Sequence, residues 1–361
     1  MFEHLKHLKN YEPGRPIEEV VAQYGIPPEK IIKLASNENP YGPAPQVIEA
    51  VQQNLFRMNR YPDDSYHQLK GGLAQRFGVK EENIIIGAGS DQILEMAVYG
   101  VRPKKILTAG ITFAMYEIFG KQVGAEIIKT PDKTHNLEQF RELYRKHKPE
   151  LIFICTPNNP LGEALDRGEV EKFIDEVDPE TLIVIDGAYQ EFAGFKDRGK
   201  IIPPNTLIDR PNLLYTGTFS KAYGLGGMRV GYGIANREII SNLNKLRPPF
   251  NITTLSLTAA TTALNHWEWV AMGLQLNFAQ MERYQKLAEE LGVEYIDSYT
   301  NFLLLYFPNS RELFQYLLER GVIVRDMSSY GFSATRITIG TPEENDRAIE
   351  LIGEFYKKGV F

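Results

Sequence analysis

The sequence predicts an α/β protein: a large, doubly wound and mostly parallel sheet, followed by a smaller α+β domain. Two observations carry that prediction. From about Asn83 onward, short runs that are apolar at consecutive positions alternate with segments of helical periodicity. A strand apolar on successive residues has both faces covered, which is the condition of a parallel sheet wrapped by helices. After Pro248-Pro249 the rhythm changes to a long stretch of helix formers and then to a few strands mixed with helices, the pattern of a second unit.

Residues 1–35, with prolines and a glycine around Tyr11-Glu12-Pro13-Gly14-Arg15-Pro16, cannot form a core alone and are expected to wrap as an arm onto the small domain or a partner. Within the large domain, assigned to 36–250, the segments 84–86, 106–107, 127–128, 151–154, 182–185 and 213–215 read as strands. Helical patterns over 90–99, 136–147 and 166–177 lie between them; in the second, Leu137, Phe140, Leu143 and Tyr144 recur at helical spacing. The small domain, 251–361, opens with helix formers over 254–291, broken once. Strands at 295–307, 322–325 and 336–339 and helices at 311–320 and 343–357 complete it.

Composition narrows the function. With 43% hydrophobic and 24% charged residues the chain has the balance of a soluble globular protein. Its net charge of −6, without a basic run, argues against a nucleic-acid-binding surface. A single cysteine, Cys155, excludes an internal disulfide and a cysteine metal cage; following the apolar run 151–154, it is expected to be core. Met1-Phe2-Glu3-His4-Leu5-Lys6 lacks the features of a signal peptide, and no apolar run approaches the ~20 residues of a membrane helix. A soluble, cytoplasmic protein is expected.

Chemistry gathers where the predicted strands end. Thr218-Phe219-Ser220-Lys221-Ala222-Tyr223-Gly224-Leu225-Gly226-Gly227-Met228-Arg229 follows the apolar run 213–215 and sets two hydroxyls, a lysine and an arginine around a glycine-rich turn. A lysine that condenses with an aldehyde cofactor must sit at a rigid edge with an amine able to lose its proton. The hydroxyls and Arg229 can hold a phosphate, and glycines allow close backbone approach. Those are the requirements for binding pyridoxal phosphate covalently.

Three further loops agree. Gly87-Ala88-Gly89-Ser90-Asp91-Gln92 opens a helix after a strand, where backbone N–H groups favour an anion. A dinucleotide fingerprint needs a glycine where Gln92 stands, and a Walker A loop needs one directly before Lys221. Cys155-Thr156-Pro157-Asn158-Asn159-Pro160-Leu161-Gly162 is a constrained loop at the edge where ligands bind in such sheets, and Asn159 can donate to a phenolate oxygen. Leu182-Ile183-Val184-Ile185-Asp186-Gly187-Ala188-Tyr189 ends an apolar strand with a carboxylate. Burying that acid is costly unless a cation such as a protonated pyridine nitrogen pairs with it. Taken singly these are also ordinary turns, a capping aspartate and a surface lysine. Four of them in chain order, each at a strand end, make a cofactor site.

At these residues the chain resembles the fold-type I pyridoxal-phosphate-dependent aminotransferases, and among them the histidinol-phosphate aminotransferases. The resemblance spans essentially the whole chain. Its subgroup markers are Tyr11-Glu12-Pro13-Gly14, Lys33-Leu34-Ala35-Ser36-Asn37-Glu38-Asn39-Pro40-Tyr41-Gly42, Arg60-Tyr61-Pro62-Asp63, Phe113-Ala114-Met115-Tyr116 and Thr335-Arg336-Ile337-Thr338-Ile339-Gly340-Thr341. It implies that Lys221 bonds the cofactor and shuttles protons, that Asp186 pairs the pyridine nitrogen, and that Asn159 and Tyr189 contact its phenolic oxygen. Phe113 would stack on the ring; Ser90, Asp91 (through its backbone N–H), Thr218, Ser220 and Arg229 would hold the phosphate.

It also implies a homodimer with shared active sites, Tyr61 reaching the phosphate of the neighbouring subunit. Tyr11, Asn37, Asn159, Arg325 and Arg336 would line the substrate side. The implied substrates are histidinol phosphate, imidazole-acetol phosphate, glutamate and 2-oxoglutarate, whose phosphate and carboxylate groups two arginines can both serve. Alternatives on the same scaffold are an aromatic aminotransferase or a decarboxylase of a phosphorylated amino acid. Three positions depart from the family pattern. Gly187 stands where an acidic residue is usual, Leu161 where threonine is, and Ile111 where proline is. None is assigned to bond-making, and Glu at 187 is expected to change activity little because Asp186 already supplies the charge.

Overall fold

The computed structural model describes Lys6, Leu8 and residues 14–357. Its strands, in chain order, begin with the two-residue β1 (Ile32–Lys33). They continue with β2 (Ile84–Gly87), β3 (Lys105–Thr108), β4 (Glu126–Lys129), β5 (Leu151–Cys155), β6 (Leu182–Asp186), β7 (Leu213–Thr218) and β8 (Gly231–Ala235). Last come β9 (Phe302–Leu305), β10 (Val322–Ile323), β11 (Arg325–Asp326) and β12 (Thr335–Thr338).

Seven strands form one sheet in the order β2-β8-β7-β6-β5-β3-β4, parallel throughout except for β8, which runs antiparallel to both neighbours. Alternate residues feed two separate cores. Along β5, Leu151, Phe153 and Cys155 enter the core that contains helix Gly89–Val101, whereas Ile152 and Ile154 enter the opposite one with Phe140 and Phe173. The period-2 geometry of a strand makes every position apolar when both faces are covered. Cys155 is buried in the first of these cores, and burial pushes its thiol pKa up, consistent with a packing role.

All six predicted strands of the large sheet are present. The strand β8 is not among the strands expected from the sequence; it carries two glycines, Gly231 and Gly233, which lower strand propensity. The glycines answer to packing: a Cβ at Gly231 would strike the backbone of Gly89, and one at Gly233 would come within 2.9 Å of Ile85. Tertiary contact overrides strand propensity here.

The stretch 254–291 forms two helices, Thr254–Ala263 and Trp267–Leu291, the expected single break falling between them. Beyond it, β11, β12 and β9 make a three-stranded antiparallel sheet, covered by helices Ser310–Leu318 and Pro342–Lys357 over a third core. Of the predicted strand 295–307, only β9 is regular; Tyr295 makes an isolated bridge to Leu305. The predicted strand 322–325 divides between two sheets, β10 pairing parallel with β1 and β11 antiparallel with β12. No helix among the described residues is long and apolar enough to cross a membrane.

Candidate active site

A cavity of about 310 Å³ lies at the C-terminal ends of β5, β6 and β7 and is closed from the other side by β11 and β12. Among the described residues, every candidate lines it except Tyr61. Tyr61 is 79% exposed and stacks on Phe250 with ring centroids 4.6 Å apart, and it does not reach the cavity of its own chain. Tyr11 lies outside the described residues.

Lys221 follows β7 by three residues. Its Nζ donates to Ser36 O at 3.3 Å and stands 5.9 Å from the Tyr189 ring centroid. Burial, reinforced by the nearby Arg336 cation, lowers its pKa from 10.5 to about 8. Such a lysine can act as nucleophile and base near neutral pH.

Asp186 ends β6 and is 3% exposed. Its Oδ2 accepts from Tyr116 Oη at 2.6 Å; its Oδ1 accepts from Ala188 N at 3.1 Å and Thr216 Oγ1 at 3.4 Å. Burial raises its pKa, with the Tyr116 hydrogen bond opposing. These hydrogen-bond partners are all neutral, so a protonated ring nitrogen is the cation that suits the cavity side of this carboxylate. The residues present therefore fit pyridoxal phosphate at that end.

They fit it at the other end too. The helix Gly89–Val101 begins at the cavity, and Arg229, in the left-handed region at φ 52°, folds its guanidinium over that turn. Arg229 Nη1 donates to Ser220 Oγ and Nη2 to Asp91 Oδ2, each at 3.4 Å. A Cβ on Gly89 would lie 2.6 Å from Nη2, so only glycine admits this approach. Thr218 Oγ1 donates to Ser220 Oγ at 2.9 Å. A helix N-terminus, two hydroxyls and an arginine are the donor set of a phosphate cradle.

Between these ends, Asn37 Nδ2 donates to Tyr189 Oη at 2.9 Å, and Asn37 is itself held by Thr338 Oγ1. Arg336 Nη1 donates to Asn159 Oδ1 at 2.5 Å and Nη2 to Ala35 O at 2.8 Å. With its oxygen engaged, Asn159 presents its amide nitrogen as the donor for a phenolic oxygen. Arg325 and Arg336 are direct cross-strand partners of the β11–β12 pair, and both line the cavity. Like charges placed opposite each other cost stability unless an anion offsets them.

Several contributing residues were not singled out from sequence. Tyr116 belongs to the marker 113–116, and the structure sets its ring edge to face with that of Phe113 at 5.6 Å. Thr216 lies in no motif, and Ser36 and Thr338 lie within the subgroup markers without a role assigned to them. Behind the Asn159 loop, Asn158 accepts from Thr112 Oγ1 and donates to Ile111 O and Glu163 Oε1, and Glu163 also accepts from His135 N.

The three departures find physical explanations. Leu161 is fully buried with Leu304, Met327, Phe332 and Ala334, and Ile111 packs on the same cluster, so two of the substitutions make one apolar seam. Gly187 is constrained by packing, which the expectation about its activity did not consider. A Cβ there would collide with the Tyr215 hydroxyl and come within 2.6 Å of Tyr215 Cζ, so the space of an acidic side chain is filled by a buried tyrosine. Gly187→Ala is expected to lose about 1–3 kcal/mol by overpacking, and Gly187→Glu more. Urea midpoints measure this; an unchanged midpoint would mean that Tyr215 yields freely.

Comparison with known proteins places this geometry. A family model described as aminotransferase class I and II matches residues 29–352. A histidinol-phosphate aminotransferase of Wolinella succinogenes is 55% identical over 357 residues, covering 97% of each chain; that of Aliarcobacter butzleri is 55% identical over 356, again 97% of each. The chain belongs to the histidinol-phosphate aminotransferase family. Among solved structures, histidinol-phosphate aminotransferase from Sinorhizobium meliloti in complex with pyridoxal 5'-phosphate superposes with a TM-score of 0.90 at 26% identity, covering 99% of this chain and 98% of that one. A member of this family has the fold-type I architecture, which accounts for a lysine, an acid and an anion cradle all at one sheet edge.

Proposed function

We propose that this aminotransferase uses pyridoxal phosphate to exchange amino groups between two pairs, histidinol phosphate with imidazole-acetol phosphate and glutamate with 2-oxoglutarate, in histidine biosynthesis. The observation that carries the reading is the pair of opposed arginines, Arg325 and Arg336, in the same cavity as the pKa-depressed Lys221. When bound, the cofactor supplies an electron-withdrawing ring that stabilises negative charge at the substrate carbon.

The remaining work falls to the chain. Lys221 Nζ would hold the cofactor aldehyde and, once the substrate amine has displaced it there, its freed amine would carry the proton from the substrate carbon to the cofactor carbon on the other side of the shared nitrogen. Asp186 keeps the ring nitrogen protonated, and Tyr116 fixes the orientation of that carboxylate. Tyr189 and Asn159 address the phenolic oxygen, and Phe113 covers one ring face. Ser90, the Asp91 N–H, Thr218, Ser220 and Arg229 hold the phosphate. On the substrate side, Asn37 and Asn159, with Tyr11 from the arm, shape the pocket around the anion bound by Arg336 and Arg325.

The same reading divides the chain into the arm 1–35, a cofactor domain 36–250 and a small domain 251–361, and places the protein in the cytoplasm. It makes the enzyme a homodimer in which Tyr61 completes the partner's phosphate site. Exposed apolar side chains around the Tyr61 loop support this: Phe56 is 77% exposed, Leu55 and Met58 are exposed beside it in sequence, and the exposed Tyr61 stacks on the exposed Phe250. Such a patch marks an interaction face.

Single-turnover spectroscopy tests the reaction. Histidinol phosphate is expected to convert the cofactor to its amine form, and 2-oxoglutarate to restore it. Release of carbon dioxide, or a response to aromatic amino acids alone, would overturn the assignment. For the dimer, Lys221→Ala and Tyr61→Phe proteins are mixed and refolded together. Hybrids with one intact site should regain activity above either parent, and failure to do so would remove Tyr61 from the shared site.

A further inference from the structure

Gln92 stood out in the sequence as the residue that breaks a dinucleotide fingerprint, and the structure gives it a task at the phosphate-binding turn. Its Oε1 accepts from Ala88 N at 2.8 Å, across the turn that opens helix Gly89–Val101. Ala88 sits at φ −72°, ψ 74°, the inverse γ-turn region rather than helix or strand. This backbone geometry is closed by the side chain four residues on.

The same Gln92 oxygen accepts from Asn251 Nδ2 at 2.6 Å, and Asn251 Nδ2 also donates to Ile86 O at 3.1 Å. Asn251 Oδ1 in turn accepts from Arg247 Nη1 and from the buried Tyr66 hydroxyl, each at 2.8 Å. Arg247, 13% exposed, grips Asp64 with both nitrogens at 2.8 and 2.9 Å. That grip holds the Asp64 carboxyl at about 2, below the usual range. Asp64 Oδ1 also accepts from Phe250 N at 2.7 Å, and the Phe250 ring stacks on Tyr61. An unbroken hydrogen-bonded relay thus runs from the exposed Tyr61 loop to Ala88.

We infer that Gln92 and Asn251 are positioning residues that preset the turn for the cofactor phosphate, and that the Arg247–Asp64 pair anchors them to the Tyr61 loop. A cradle for a dianion works when its donors are aimed before the ligand arrives, and aiming them takes a second layer of fixed contacts. Gln92 touches Ala88 and Asn251, and acts on the phosphate only through the turn. The inference rests on reading this turn as the phosphate site.

The test compares binding of pyridoxal phosphate and of pyridoxal, which lacks the phosphate, to full-length protein freed of cofactor. Gln92→Met is close to isosteric but offers no comparable acceptor. It should weaken pyridoxal phosphate by roughly 3- to 10-fold, the value of a hydrogen bond, and leave pyridoxal unchanged. Asn251→Ser and Arg247→Met should move the same ratio in the same direction, and they stand in if Gln92→Met does not fold. A residue that merely stabilises the fold would weaken both ligands alike or lower only the melting temperature. Either result, or no change in affinity, overturns the inference. If the wild-type protein itself binds the two ligands equally, the phosphate site is elsewhere; if it prefers pyridoxal phosphate and the variants keep that preference, the relay alone is at fault.

Discussion

Lys221→Ala is expected to lower turnover by about 10⁴-fold, the upper range for loss of a positioned acid–base group, while the protein still takes up the cofactor. The proposed phosphate cradle and the proposed Asp186 contact do not pass through Lys221, so reversible binding should survive. Borohydride reduction of the loaded wild-type protein, followed by peptide mapping, should label Lys221, and a label on another lysine would refute the assignment. The lowered pKa also has a thermodynamic sign. A lysine at about 8 in the native state and 10.5 when unfolded is charged in both states below pH 8, where its burial costs stability. Between pH 8 and 10.5 the unfolded chain holds the proton more than the native state does, so this cost is relieved as pH rises. Urea midpoints of the cofactor-free protein should climb over that window relative to those of Lys221→Ala. Parallel pH profiles would show that Lys221 titrates as an ordinary lysine.

Arg336→Ala should damage both half-reactions, whereas Arg325→Ala should damage the histidinol-phosphate half more than the glutamate half. Arg336 is the more deeply engaged of the two: it is 9% exposed, bonds Asn159 and Ala35 O, and is the second cause of the Lys221 shift. Its removal releases Asn159 and lets the Lys221 pKa rise, so any substrate suffers. Arg325 sits opposite on β11 and extends the positive charge to a second point, which a dianion uses better than a carboxylate does. A charge-assisted hydrogen bond is worth ~1.5–3 kcal/mol, or roughly 10- to 150-fold in the affected half-reaction. Single-turnover rates for each substrate on each variant decide the matter. Equal losses in both halves for Arg325→Ala, or none in either, would take it out of the phosphate site.

Six of the seven strands of the large sheet, and the chemistry at their ends, are legible in the sequence alone. Runs such as 151–154 and 182–185 are apolar at every position because both faces of each strand are covered, so their ends, and with them Asp186 and the loops carrying Asn159 and Lys221, could be located by local pattern. Gln92 could be seen to exclude a dinucleotide turn, but not to close one of another kind. Only the tertiary structure decided what meets across the chain. It brings Tyr116 to Asp186, sets Arg325 opposite Arg336, packs Ile111 with Leu161, and fills the side-chain space of Gly187 with Tyr215. It also makes the glycines of β8 points of close approach to Gly89 and Ile85. The physical reason is range. Hydrophobic periodicity is a property of neighbouring residues, whereas a hydrogen bond between positions 116 and 186, or a Cβ collision between 187 and 215, depends on how separate elements pack, and no local pattern encodes that.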